Sequence, residues 1–147
     1  MSAIGRRSLP HDVPPNIRPD PEGEVFFITI CTEPRGENQL AIPGIWDALR
    51  ETIEIRESRS DIHCRLLLAM PDHLHGLFAF PGDVPMKRAI TSLKGWMAKQ
   101  HGIRWQRDFF DHRLRSWESA QEKATYIRQN PVRASLCAKP EDWPYQR

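Results

Sequence analysis

Residues 63–80, HCRLLLAMPDHLHGLFAF, constrain the fold more than any other stretch of the chain. Two apolar, β-prone runs, His63 to Met70 and His73 to Phe80, are separated only by Pro71 and Asp72. So short a link joins antiparallel neighbours and leaves no room for a crossover. Side chains on a strand alternate between its faces, so Leu74, Gly76, Phe78 and Phe80 turn one way and His73 and His75 the other. The apolar set needs covering helices, and the histidine set is left free for a ligand.

The rest of the chain supplies the partners of that hairpin. Upstream, VFFITICT (Val25 to Thr32) is rich enough in β-branched and aromatic residues for a strand buried on both faces. Ile45, Trp46, Leu49 and Ile53 fall at helical spacing and predict an amphipathic helix to about Ser58. Downstream, Pro85 can open a second helix with Ile90, Leu93 and Met97 as its apolar stripe, ended by Gly102. Residues 103–117, IRWQRDFFDHRLRSW, have no clean period and are assigned a short strand or a structured loop. Ser119 and Glu122 form a capping box that predicts a last helix from Ala120 to about Asn130, stopped by Pro131. This order of elements predicts an α+β sandwich built on an antiparallel sheet.

At 147 residues the chain suits one domain with its own core. Residues 1–23 hold Pro10, Pro14, Pro15, Pro19 and Pro21 together with Arg6 and Arg7, which predicts an extended basic arm ahead of a single domain, 24–147. Cys31, Cys64 and Cys137 are odd in number and far apart, as expected of reduced cytoplasmic thiols. No apolar run approaches the roughly 20 residues of a membrane span, so no membrane partner is expected. The net charge of +2 hides an asymmetry: residues 1–83 carry 8 Lys/Arg against 13 Asp/Glu, and residues 84–147 carry 13 against 6. The basic second part points to a polyanion, of which nucleic acid is the commonest, although an ordinary solvated surface would read the same way.

Two histidines two apart on a strand can bring two nitrogens to one metal, or they can be satisfied, half-buried side chains. In YIRQN, Tyr126 and Asn130 are four apart and share a helix face. If that face lies over the histidines, Asn130 can offer an amide oxygen to the metal and Tyr126 a hydroxyl to a bound phosphate. Imidazole and amide ligands with open positions suit Mg²⁺ or Mn²⁺. A core tyrosine followed by an asparagine C-cap explains the same helix without chemistry.

Taken together, MPDHLHGLF resembles the His-hydrophobic-His (HUH) motif of single-tyrosine transposases, and YIRQNPVRASL resembles their tyrosine helix. Within that group the chain is most similar to the REP-associated tyrosine transposases, with SLKGWM, WQRDFFDHRLRS and EDWPY as supporting segments in the same order. Asp72 departs from the asparagine usual at its place in the motif. The resemblance implies a ferredoxin-like or RRM-like antiparallel sheet with helices on one face and a C-terminal helix bearing the tyrosine. It also implies His73, His75 and Asn130 as ligands of Mg²⁺ or Mn²⁺, Tyr126 as nucleophile, and a single-stranded or hairpin DNA substrate cleaved and rejoined through a 5′-phosphotyrosine. Arg6, Arg7, Lys87, Arg88, Lys94, Lys99, Arg104 and Arg107 are the candidate DNA contacts, and Trp96 or Trp105 could stack a base, with core packing the better account of both tryptophans. A monomer and a homodimer are both open. So are two other classes: a non-catalytic RRM-like nucleic-acid-binding protein derived from a transposase, and a metal-dependent hydrolase acting through water.

Overall fold

The computed structural model describes residues 24–147; the predicted arm over residues 1–23, with Arg6 and Arg7, lies outside the described residues. Strand β1 (Phe26–Cys31) is followed by helix α1 (Pro43–Ser58), strands β2 (His63–Met70) and β3 (His73–Ala79), helix α2 (Met86–His101) and strand β4 (Phe110–Arg113). The strands form one sheet in the order β2-β3-β1-β4, each neighbouring pair antiparallel. A β-α-β-β-α-β chain with its first and third strands central is the ferredoxin-like arrangement. Pro71 and Asp72 turn β2 directly into β3, as the two-residue gap predicted.

The alternation written into the hairpin sorts the sheet into two faces. Ile28, Ile30, Leu67, Leu74 and Phe78 meet Trp46, Leu49 and Ile53 of α1 and Ile90, Leu93 and Met97 of α2 in the main core. Pro85 precedes α2, and Gly102 closes it in the left-handed conformation at φ 70°, which costs a residue without Cβ little. On the opposite face lie Phe27, Thr29 and Cys31, Leu66, Leu68 and Met70, His73, His75 and Leu77, and Phe110 and His112, by their cross-strand pairing. Part of this face is covered by helix α3 (Trp117–Arg128), whose buried Ile127 packs with Leu66, Leu68, Met70, Leu77 and Trp143. Tyr145 and Arg147 then exchange backbone hydrogen bonds with Leu67 and Ala69 along the outer edge of β2, and the Trp143 indole donates to the Ala69 carbonyl.

Two expectations for the end of the chain are corrected. The cap of α3 is Ser116, in extended conformation with its hydroxyl accepting from the Ser119 N–H at 3.1 Å, so the helix begins at Trp117 and Ser119 sits inside its first turn. Two serines three residues apart compete for the same role, and the helix takes the first. Pro131 does not stop the chain's helical course: α3 ends at Arg128, Gln129 stays right-handed, and Pro131 stands at the start of a short helix α4 (Asn130–Arg133). A proline there lacks only an N–H that has no helical partner anyway. Among the described residues no helix is long and apolar enough to cross a membrane, and all three cysteines are free.

Gly76 has a packing reason. A Cβ at this position would overlap the ring of Phe78, which is fully buried and cannot step aside cheaply. Gly76→Ala is expected to destabilise the protein by about 2 kcal/mol through overpacking. Urea denaturation measures this, and an unchanged midpoint would mean that the ring has room to move.

Candidate active site

The cross-strand register builds the site. Thr29 pairs with His75, and Cys31 with His73, so the two imidazoles stand side by side on β3 with ring centroids 4.7 Å apart, edge to face. Each is fixed through the same nitrogen. His73 Nδ1 is 2.8 Å from Asp72 Oδ1, and His75 Nδ1 is 2.9 Å from Thr29 Oγ1. Anchoring Nδ1 sets ring orientation and leaves Nε2 to other partners, an arrangement also found in metal-binding histidines.

Asp72 is the organising residue of the turn. Its second carboxylate oxygen accepts from the Arg35 guanidinium at 3.0 Å and from the Gly36 N–H at 2.8 Å, and its carbonyl accepts from the Thr32 N–H and hydroxyl. Burial alone would raise its pKa. The hydrogen bonds from Arg35, His73 and Gly36, with the Arg35 charge, outweigh that and hold the carboxyl well below the usual carboxylate range. An asparagine has a single side-chain oxygen and could not accept from all three of these donors, so the carboxylate adds to the backbone contact with Thr32 in tying the β2–β3 turn to the segment after β1.

Tyr126 lies on α3, on the histidine side of the sheet, with half of its surface exposed (51%). The ammonium of Lys123 sits 4.9 Å from the Phe27 ring centroid and 5.2 Å from that of Tyr126, and Phe27 in turn is 5.4 Å from His75. The tyrosine is therefore linked to His75 through two intervening side chains. Arg133 covers its ring at 4.2 Å and donates to the Tyr126 carbonyl at 3.0 Å. Among the described residues neither Lys123 nor Arg133 meets a carboxylate, so their charge is available to an anion beside the phenol. Asn130, half-buried at the start of α4, is four residues on, and its carbonyl is engaged by the Ala134 N–H.

His73 and His75 share one face, and their Nδ1 contacts leave Nε2 of each ring for another partner. Among the described residues no group of three or more His, Cys, Asp or Glu stands together, so a divalent metal held by the two imidazoles would need oxygen from an amide such as that of Asn130, or from water, and would keep exchangeable positions.

The other predicted contacts divide. Lys87, Arg88, Lys94 and Lys99 ride on α2, which packs against the face opposite the histidines. Lys94 is tied by hydrogen bonds to the carbonyls of Gln106 and Arg107, and Arg104 is ion-paired with Glu37. Arg107 is exposed between α2 and β4. Trp105 is half-buried against the core and its indole donates to the Lys94 carbonyl, whereas Trp96, expected in the core, is exposed on α2. Thr29, Phe27, Lys123 and Arg133 were not singled out from the sequence. The alternation of β1 and the helical spacing of Lys123 and Tyr126 carried a signal for the side each occupies, but nothing revealed which strands pair.

A comparison with protein-family profiles finds no match. A Haemophilus influenzae protein provisionally named as a REP-associated tyrosine transposase is 28% identical over 144 residues, covering 84% of this chain and 79% of its relative. Among solved structures, a REP-associated tyrosine transposase bound to a REP hairpin superposes with a TM-score of 0.73 at 23% identity, covering 84% of this chain and 76% of the other. A provisionally named transposase of Deinococcus radiodurans gives 0.52 at 18% identity, over 71% and 89%. The two solved structures share the fold of this chain. The sequence relative is similar to it over most of its length, in the direction of the resemblance noted for the histidine and tyrosine motifs.

Burial, followed by repulsion from His73, Arg133 and Lys123, pulls the pKa of His75 down to about 3 from an ordinary 6.5. The unfolded chain therefore takes up this proton first as pH falls, and stability from His75 is complete above 6.5 and lost progressively toward 3. In chelator, lowering the pH from 6.5 to 5 is expected to cost about 2 kcal/mol of unfolding free energy from this group. His75→Gln should flatten that part of the slope; an unaltered slope would assign it elsewhere.

Proposed function

We propose that the protein is a metal-dependent tyrosine transposase that cleaves and rejoins single-stranded or hairpin DNA. The observation that carries the proposal is the pair of Nδ1-anchored histidines on the same sheet face as the tyrosine helix, with Lys123 between the two. Similarity to a named REP-associated tyrosine transposase, and a fold shared with one bound to a REP hairpin, support the same reading.

His73 and His75, with Asn130, would hold Mg²⁺ or Mn²⁺. When bound, the ion supplies charge neutralisation at the non-bridging oxygens of the scissile phosphate. The chain's own groups do the rest. A free phenol ionises near pH 10, so attack requires a phosphate brought close and its charge offset; Lys123 and Arg133, flanking the Tyr126 ring, serve that end. The Tyr126 oxygen forms a bond to phosphorus as the bond to the 3′ oxygen breaks. The phenolic proton is lost and the leaving oxygen gains one, giving a 5′-phosphotyrosine and a free 3′-hydroxyl. One phosphoester replaces another, so no nucleotide cofactor is consumed. The reverse step with a different 3′-hydroxyl transfers the strand.

Tyr126→Phe is expected to abolish the covalent protein-DNA adduct on a denaturing gel while DNA binding persists within about twofold. Replacing His73 and His75 together by alanine should abolish Mg²⁺- or Mn²⁺-dependent cleavage and spare binding. Cleavage without an adduct would instead indicate hydrolysis by water, and binding with no cleavage under either metal would leave a nucleic-acid-binding protein.

A further inference from the structure

Among the described residues the histidine-bearing face is uncovered at its β4 edge. Helix α3 and Trp143 pack over β2 and β3, while β4, at the other edge, presents Phe110, which is 70% exposed. The preceding Phe109 turns into the core between sheet and helices, so the alternation of β4 aims Phe110 at the histidine side. It pairs directly with Thr29, whose hydroxyl holds His75. Leu68, His75, Thr29 and Phe110 thus form one straight row across four strands. Phe110 stands two strands from His75, about 10 Å at the usual spacing between strands.

An exposed phenylalanine contributes little to the fold, and its ring offers an apolar π-face to a partner. Its neighbours on that face are His112 and Phe27, with the unneutralised ammonium of Lys123 over the Phe27 ring. Asp111, the acid of the strand, pairs with core-facing Ile28 and so points to the other side. An exposed aromatic ring in the same row as the histidines, one or two nucleotide lengths from a candidate phosphate site and next to the Phe27 ring that carries the Lys123 ammonium, matches an unpaired base joined to that phosphate.

We propose that Phe110 is a stacking platform for an unpaired base flanking the scissile phosphate, seating the single strand across β1 and β4 toward the histidines. The assignment rests on the DNA-processing reading above. Of the two tryptophans weighed for this role, Trp96 rides on α2, against the opposite face, and Trp105 is held by the Lys94 carbonyl against the core.

The test uses the full chain and a fluorescein-labelled hairpin oligonucleotide with single-stranded flanks. Phe110→Ala should weaken binding about 5- to 100-fold, the range for loss of one stacked base, and Phe110→Trp should restore it. The new tryptophan should also lose fluorescence when unlabelled oligonucleotide is added, beyond any change in the unsubstituted protein. If the wild type forms its Tyr126 adduct but Phe110→Ala binds normally and the Phe110→Trp signal stays constant, stacking is overturned while the transposase reading stands. If binding drops as expected but no adduct forms, the platform stands and the catalytic reading falls. Should Phe110→Ala convert a dimer to a monomer in sedimentation, with unchanged affinity per subunit, the residue belongs to an interface between copies and the proposal fails.

Discussion

The antiparallel pairing of β1 with β3 is the contact on which everything else depends. Because side chains alternate with period two, this one register sends Ile28, Ile30, Leu74 and Phe78 to the helices and Thr29, His73 and His75 to the other side. A slip by one residue would bury both imidazoles among leucines and expose the core set, a double cost that leaves no near-degenerate alternative. The hydroxyl of Thr29 and the carboxylate of Asp72 then convert placement into orientation, each taking one nitrogen and freeing the other.

The two faces are specialised by what covers them. Helices α1 and α2 seal one face with aliphatic and aromatic side chains, and little of that layer is available for chemistry. The other face is covered by α3 and Trp143 over β2 and β3, reached by Lys123 at Phe27 of β1, and among the described residues left open at β4, where Phe110 stands exposed. Burial of His75 beneath this partial cover is what depresses its basicity, and the cations that add to the effect, Lys123 and Arg133, are the same groups that flank the Tyr126 ring. The charges that oppose protonation of the His75 imidazole are the ones that would attract an anion beside the phenol.

Much of the fold was legible because local signals agreed with one another. The Pro71-Asp72 link, the stripe of Ile90, Leu93 and Met97, and Gly102 each needed only a few neighbouring residues to be interpreted, and each element was found within a residue or two of its expected bounds. Ser116 and Ser119 show where such reasoning fails: both satisfy the pattern of a cap, and only the backbone decides between them. The histidine pair was legible in its spacing, which placed both imidazoles on one face. Its support was not, because Thr29 is 46 residues from His75 and Arg35 is 37 from Asp72, separations that no periodicity encodes. The placement of the basic residues was not legible either: a count of lysines and arginines carries no face, and α2 packs on the side opposite the histidines.

The backbone exchange between Leu67, Ala69, Tyr145 and Arg147 gives the outermost strand of the sheet a partner from its own chain. Without it, β2 would offer a row of unsatisfied amides and carbonyls beside an apolar surface, which is how separate molecules recruit one another into extended sheets. Proteolytic trimming behind Trp143 would therefore threaten solubility sooner than it threatened chemistry.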